Sequence, residues 1–229
     1  MALYAIGDLH FGMAVDKPMD IFGDEWIEHR ENIIESWRAS VGDEDTVIIA
    51  GDTSWAINME EAIHDLEDIS MLPGRKIIIK GNHDYWWTTL SKLNRLFEGM
   101  IFIQNSFAAY EDYAVCGSRG WLCPNDYYFT ASDEKIYNRE INRLRIALES
   151  ARAAGYKKLI VATHYPPTND RQDESGFTRL YEEFKVEKVV YGHLHGREAF
   201  KGALQGERKG VEYIFTACDY TGFKLVKIL

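Results

Sequence analysis

What the chain lacks narrows its function first. Its 229 residues include only three cysteines, Cys116, Cys123 and Cys218, an odd number with no C-x-x-C spacing. That count excludes a disulfide scaffold and fits reduced, packed thiols. Only five prolines are present, and no proline-rich linker, low-complexity tract or fixed-period repeat interrupts the chain. No stretch approaches the ~18 consecutive apolar residues of a membrane span. The opening residues, MALYAIGDLH, show neither a basic segment nor a cleavage site, so no signal peptide is expected and a cytoplasmic location is. Positive charge is also short, with 26 Lys and Arg against 36 Asp and Glu and a net charge of −10. That balance repels polyanions, which disfavours nucleic acid and anionic membranes as partners. No G-x-G-x-x-G comes after any strand candidate, which removes a dinucleotide-dependent oxidoreductase.

What remains is an ordinary globular composition, 46% apolar and 27% charged. A chain of this size buries roughly three-quarters of its unfolded surface and needs no staples. We read one domain over residues 1–229. Strand candidates fall at 3–6, 46–50, 76–80, 101–103, 113–116, 159–163, 188–191, 213–216 and 224–228. VIIA at 47–50 and LIVA at 159–162 are continuous apolar runs, as strands buried on both faces require. Helical stripes lie between them, around 26–37, 59–69, 90–97, 133–154 and 175–184. Alternation of this kind predicts an α/β fold, with strands and no obvious helices after Gly192. Residues 117–132 form the one long unpatterned stretch, which suits a lid or a packed Ω-loop equally.

The residues with chemistry to offer stand just past the strand ends. Gly7-Asp8-Leu9-His10 comes after the first strand, Gly51-Asp52 after the second and Gly81-Asn82-His83-Asp84 after the third. His164 comes after strand 159–163, and Gly192-His193-Leu194-His195 after strand 188–191. Ligands of open α/β sheets bind at this C-terminal edge. Asp8 and His10 are two apart, as are His193 and His195, so in extended backbone each pair projects to one side. The glycines fit tight exits from the strands. Five of the seven histidines lie in these segments; His29 and His64 sit on predicted helices and read as ordinary surface or hydrogen-bonded residues. Imidazoles, carboxylates and one amide suit Mn²⁺, Fe or Zn²⁺, and no thiolate joins them, which argues against a closed structural zinc site.

The order D-x-H, G-D, G-N-H-D, H and G-H-x-H, spanning residues 8–195, resembles the signature of the calcineurin-like metallophosphoesterase superfamily, most closely its compact bacterial members. The resemblance implies a four-layer α/β/β/α sandwich of two mixed β-sheets flanked by helices. It implies two divalent metal ions, one held by Asp8, His10, Asp52 and His195, the other by Asp52, Asn82, His164 and His193. His83 is then a non-ligand residue near the leaving-group oxygen, with Asp84 orienting it. The implied reaction is hydrolysis of a phosphomonoester or phosphodiester by in-line attack of a hydroxide held between the metals. Alternatives are a metal-dependent nuclease and a non-catalytic metal-bound scaffold for protein partners.

Substrate contacts are harder to read. Trp87, in Tyr85-Trp86-Trp87, can stack on a base or aryl group, or simply staple the next helix. Arg119, just after a strand candidate, can hold a phosphate oxygen or carboxylate, or form a surface ion pair. The expected partner is a small phosphate ester. Six tryptophans serve a core or an interface equally well, so composition selects no oligomeric state.

Overall fold

The structure is a computed structural model that describes residues 1–125 and 127–229. Eleven strands are seen among the described residues, arranged in two sheets. In the first sheet β1 (Leu3–Ile6), β2 (Thr46–Ile49), β3 (Arg75–Ile79) and β4 (Met100–Ile103) run parallel, and β11 (Val226–Lys227) pairs antiparallel to β1. The second has the order β5 (Ser106–Tyr110), β6 (Tyr113–Ser118), β7 (Lys158–Thr163), β8 (Lys188–Tyr191), β10 (Val211–Phe215), β9 (Gly206–Arg208). Its inner four strands are parallel, and β5 and β9 close the edges as antiparallel hairpins.

Alternation within single strands builds the layers. Ile48, Ile77 and Ile79 of the first sheet meet Val115, Ile160 and Val190 of the second in an apolar seam. Val47, Ile49 and Ile78 face the other way, against Ile33 and Trp37 of α1 (His29–Ser40) and Leu66 of α2 (Met59–Ser70). On the far side, Leu159 and Val161 pack against Leu144 and Leu148 of α4 (Ala131–Ala153), with Leu180 of α5 (Gly176–Glu183) in the same cluster. Two mixed sheets flanked by helices are therefore present as expected, and the continuous apolar runs are the strands buried on both faces. Burying side chains of this size contributes about 1.5–3 kcal/mol each.

Local chemistry sets the helix ends. The Asn58 side chain accepts from Glu61 N at 3.0 Å and starts α2. Thr130 and Asp133 form a reciprocal capping box, so α4 begins at Ala131, two residues before the expected start. The stripe expected over 90–97 contracts to α3 (Leu90–Leu93), after which the chain turns while Leu96 and Phe97 still pack on the core. A four-residue helix, α6 (Arg197–Phe200), stands where none was expected. No helix of the described residues is long and apolar enough to cross a membrane.

Candidate metal centre

The two sheets are joined at their C-terminal edges beside the motif residues. Gly7 N donates to Thr216 O at 2.7 Å and Cys218 N to Gly7 O at 3.1 Å, which ties the end of β1 to the end of β10. Asp8, His10, Asp52, Asn82 and His83 come from the first sheet, and His164, His193 and His195 from the second. The paired residues are not extended here. Asp8, His10, Asp52 and His193 all have positive φ, between 47° and 77°. Side chains other than glycine are rare in this region and persist only where the surroundings hold them. Two motif glycines serve close approach rather than turning: a Cβ on Gly81 would lie 2.0 Å from Asp52 Oδ1, and one on Gly192 2.1 Å from Asp8 Oδ2.

Side chains from these loops converge in two groups. Ligand-type atoms of Asp8, His10 and His195 lie within 4.8 Å of one another, as do those of Asp8, Asp52 and His164. Asp52 Oδ2 lies between them, 3.8 Å from His10 Nε2 and 3.4 Å from His164 Nε2. His10 Nε2 and His195 Nε2 are 3.4 Å apart, and His193 Nδ1 is 3.2 Å from His164 Nε2. Asn82 Oδ1 approaches the same His164 nitrogen at 2.7 Å. The rings are turned by their other nitrogens: His164 Nδ1 bonds Ala50 O at 3.0 Å, and His195 Nδ1 meets Asp219 Oδ1 at 3.1 Å. Such outer hydrogen bonds are how metal-binding histidines are held in one tautomer.

The electrostatics are those of a site that needs cations. Burial, then the charge of Asp8, pushes the Asp52 carboxyl up to about 8. Burial also acts on Asp8, but the hydrogen bond and charge of His195 outweigh it and hold that carboxyl low. Burial disfavours a charged His195, yet its bonds to Asp219 and Asp8 raise it to about 10. His193 is pushed down to about 3 by burial and then by His164. The Asp8 and Asp52 carboxyl groups thus share one buried space with the His195 ring, and divalent cations there would be held by these groups once protons leave them. Oxygen and imidazole donors fit Mn²⁺, Fe or Zn²⁺. The nearest thiol, Cys218, is spent donating to the Asp8 carbonyl at 2.9 Å.

His83 lies beside this cluster, its ring 5.9 Å from that of His10 and 4.5 Å from Trp55, and its backbone N donates to Asp52 Oδ1 at 2.8 Å. Burial, then His164, lowers its pKa. Asp84 is fully buried and accepts from Thr53 N, Ser54 N, Gly81 N and Trp86 Nε1 at 2.7–3.3 Å. Its oxygens are taken up by loop backbone and one indole. Trp87 packs against Phe102, and the Arg119 guanidinium lies 4.5 Å from the Trp121 ring centre. Neither is among the described residues that line the two cavities beside the cluster. Arg119 O does accept from His164 N and Tyr165 N, at 3.1 and 3.0 Å. His29, read as ordinary, approaches the His10 carbonyl with Nε2 at 3.3 Å, whereas His64 is exposed.

Two cavities reach the cluster. One, about 290 Å³, is walled by Met19, Phe22, Trp26 and Trp55 and reaches His10, His83 and His195. The other, about 440 Å³, meets His193 and is walled by Leu122, Tyr127, Pro166 and Ala199 among others. The stretch 117–132 thus contributes wall residues, although Asp126 lies outside the described residues. Sequence reasoning missed Asp219, Trp26 and Trp55. Asp219 had the same signal as the rest, an acidic residue a few positions past a strand.

A family model described as calcineurin-like phosphoesterase matches residues 1–197. The chain is 40% identical over 190 residues to the Gene 66 protein of Mycobacterium phage L5, covering 82% of this chain and 74% of the relative. It is 28% identical over 196 residues to the Gene 66 protein of Mycobacterium phage D29, covering 83% and 76%. Among solved structures it resembles a phosphopantetheinyl hydrolase from Mycobacterium tuberculosis, with TM-score 0.59 and 16% identity over 100% of this chain and 95% of that one. TT1561 of Thermus thermophilus is similar too, with TM-score 0.60 and 12% identity over 99% and 97%. At these identities the two structures show the likeness of fold alone. The match over most of the length, on a fold whose strand ends gather carboxylates and histidines, makes the chain a member of the calcineurin-like phosphoesterase family, the metal-dependent hydrolases of phosphate esters.

Proposed function

We propose that the protein is a two-metal phosphoesterase acting on a small phosphate ester. In this reading Asp8, His10, Asp52 and His195 hold one divalent cation, and Asp52, Asn82, His164 and His193 the other. The observation that carries it is the approach of imidazole nitrogens to one another at 3.2–3.4 Å around shared, buried carboxylates. When bound, two such cations lower the pKa of the attacking water and offset charge on the phosphoryl oxygens. Two cations and two ligand carboxylates leave a local positive surplus in a chain of net −10, which favours a compact phosphate over a polyanion.

The chain's own groups supply the rest. His83, on the wall of the Trp26–Trp55 cavity, passes a proton to the departing alkoxide oxygen, and the phosphate's negative charge favours the imidazolium that does so. Asp84 acts one step back, fixing the Gly81 and Thr53–Ser54 backbones between which His83 is held. Arg119 positions His164 through its carbonyl, and Trp87 stiffens the loop from the core side. The residues involved run from 8 to 219, so residues 1–229 work as one unit. Three free, buried cysteines suit the cytoplasmic location.

The test is metal content beside turnover. Purified protein should hold two divalent ions per chain by plasma mass spectrometry and hydrolyse 4-nitrophenyl or bis(4-nitrophenyl) phosphate. Asp52→Asn should bind fewer metals and lose activity by about 10³-fold or more. Full activity in Asp52→Asn would sink the assignment.

A further inference from the structure

The two cavities meet the centre at different ligands, and their walls differ in chemistry. The smaller touches His10 and His195 of one group together with His83, behind walls of Met19, Phe22, Trp26 and Trp55. The larger touches His193, which contacts His164 of the other group. It is also lined by the polar Thr168 and Asn169. Volumes of about 290 and 440 Å³ are each ample for an organic group at the scale of small-molecule sites.

Resting on the phosphoesterase reading above, we infer that the substrate is a phosphodiester, with its leaving alcohol in the Trp26–Trp55 cavity and its retained organic group in the cavity beside His193. A monoester has one organic arm and would leave one cavity unused. A diester has two arms diverging from one phosphorus atom, and the two cavities touch different histidines of this cluster, His193 in one and His10 and His195 in the other. His83 assigns the arms. It lines only the smaller cavity, so the ester oxygen it can protonate belongs to the group seated there. Water adds to phosphorus after releasing one proton to solvent, the P–O bond to that alcohol breaks with its electron pair on the alcohol oxygen, and that oxygen takes the His83 proton. The water's second proton stays with the product phosphate until it ionises, and His83 regains a proton from solvent. A monoester carrying the retained group is the second product.

The walls also set the class of each arm. Two indoles, a phenyl ring and a thioether favour a flat or otherwise apolar leaving alcohol. The larger cavity mixes Leu122, Pro166 and Leu194 with Thr168 and Asn169. Among the described residues its charged lining is Asp170, Glu198 and Lys201, with Lys201 bonded to Glu198 at 2.6–2.8 Å. Among the described residues this leaves Asp170 as the unpaired carboxylate of the lining, which disfavours a further anion, so the retained arm is an uncharged group rather than a polyphosphate.

The experiment compares bis(4-nitrophenyl) phosphate with 4-nitrophenyl phosphate on the metal-loaded protein, in wild type, Ala199→Trp and Leu122→Trp. Both variants push an indole into the cavity beside His193, and either alone suffices if the other does not fold. We expect wild type to favour the diester by about tenfold or more in kcat/KM, and each folded variant to lose at least about tenfold more on the diester than on the monoester. Calorimetric titration gives a readout independent of turnover. Diphenyl phosphate should bind wild type about tenfold tighter than phenyl phosphate, and the gap should close in the variants. A monoester preference, or equal losses on both esters, overturns the diester assignment while leaving the phosphoesterase reading standing. Hydrolysis of neither ester by protein holding two metals overturns both.

Discussion

At its start, strand β3 buries an ammonium; just past its end, it runs into Gly81-Asn82-His83-Asp84. Lys76 is 3% exposed, and its Nζ donates to the carbonyls of Leu72 and Ser70, the latter at 3.3 Å. Those acceptors lie four to six residues away in the chain, and the cation is satisfied by its own neighbourhood. At the other end Asp8, Asp52 and His164 are just as buried, but they face one another across as many as 156 positions of the chain. Imidazole nitrogens meet one another there, His10 with His195 and His164 with His193, beside the two buried carboxyl groups. Burial alone therefore does not mark a functional site. A buried charge with local partners is structure, whereas a set of buried charges that cannot satisfy one another is waiting for something from outside.

The largest effect should come from removing what the second end waits for. Chelation should abolish activity and lower Tm by about 10 °C, since ligands held well above their Kd stabilise by a few kcal/mol. Differential scanning calorimetry with and without chelator measures this. The sign with pH comes from Asp52, pushed up to about 8 by burial and then by Asp8. Below that value the metal-free chain holds a proton that the metal must displace, so metal affinity should rise from about pH 6 to about pH 8 with proton release. A flat affinity across that range would erase the contrast between the two strand ends.

Next in size is His83→Ala, which should lower kcat by about 10²–10⁴-fold on esters of alkyl alcohols. The loss should be much smaller on 4-nitrophenyl esters, whose leaving group needs no proton. Equal losses on both would make His83 a structural residue like Lys76. Asp219→Asn tests the outer support of the centre, because Asp219 meets His195 Nδ1 at 3.1 Å and Gly196 N at 3.2 Å. Metal affinity should fall by about 10–100-fold in direct titration.

The smallest effect belongs to Lys76. Burial lowers its pKa to about 8, so above that pH the folded chain holds this proton less than the unfolded chain does. Stability should then rise with pH from about 8 to about 10 in wild type relative to Lys76→Met, read from urea midpoints. Chelator should not alter that difference, which keeps the two ends separable.

Much of the fold, and most of the residues that the structure gathers at the candidate centre, were legible in the amino-acid sequence. The apolar runs at 47–50 and 159–162 marked strands buried on both faces, because a four-layer sandwich leaves neither face to water. The edge strands β5 and β9 were not legible. Ser106–Tyr110 is Ala-rich, and Gly206–Arg208 is three polar or glycine residues at the rim, so neither carries an apolar run. The stripe at 90–97 looked helical because its apolar residues do pack on the core, although a turn rather than a helix presents the last of them. The spacing of Asp8 and His10 suggested an extended pair, yet left-handed backbone aims both. Contacts made through the fold outrank local periodicity at such positions.

The sequence by itself determined which residue types stand at each strand end and in what order, because that information is local. Only the tertiary structure decided how those ends are shared. His193 N bonds Asp8 across 185 positions, His195 answers to Asp219, and Trp26 and Trp55 close one cavity while Leu122, Cys123, Asn125, Tyr127 and Tyr128 border the other. Spacing along a chain records only what neighbours in sequence can do. The joining of β1 to β10 through Gly7 and Thr216 brings the two sheets' ends together, and that contact turns a series of motifs into one site.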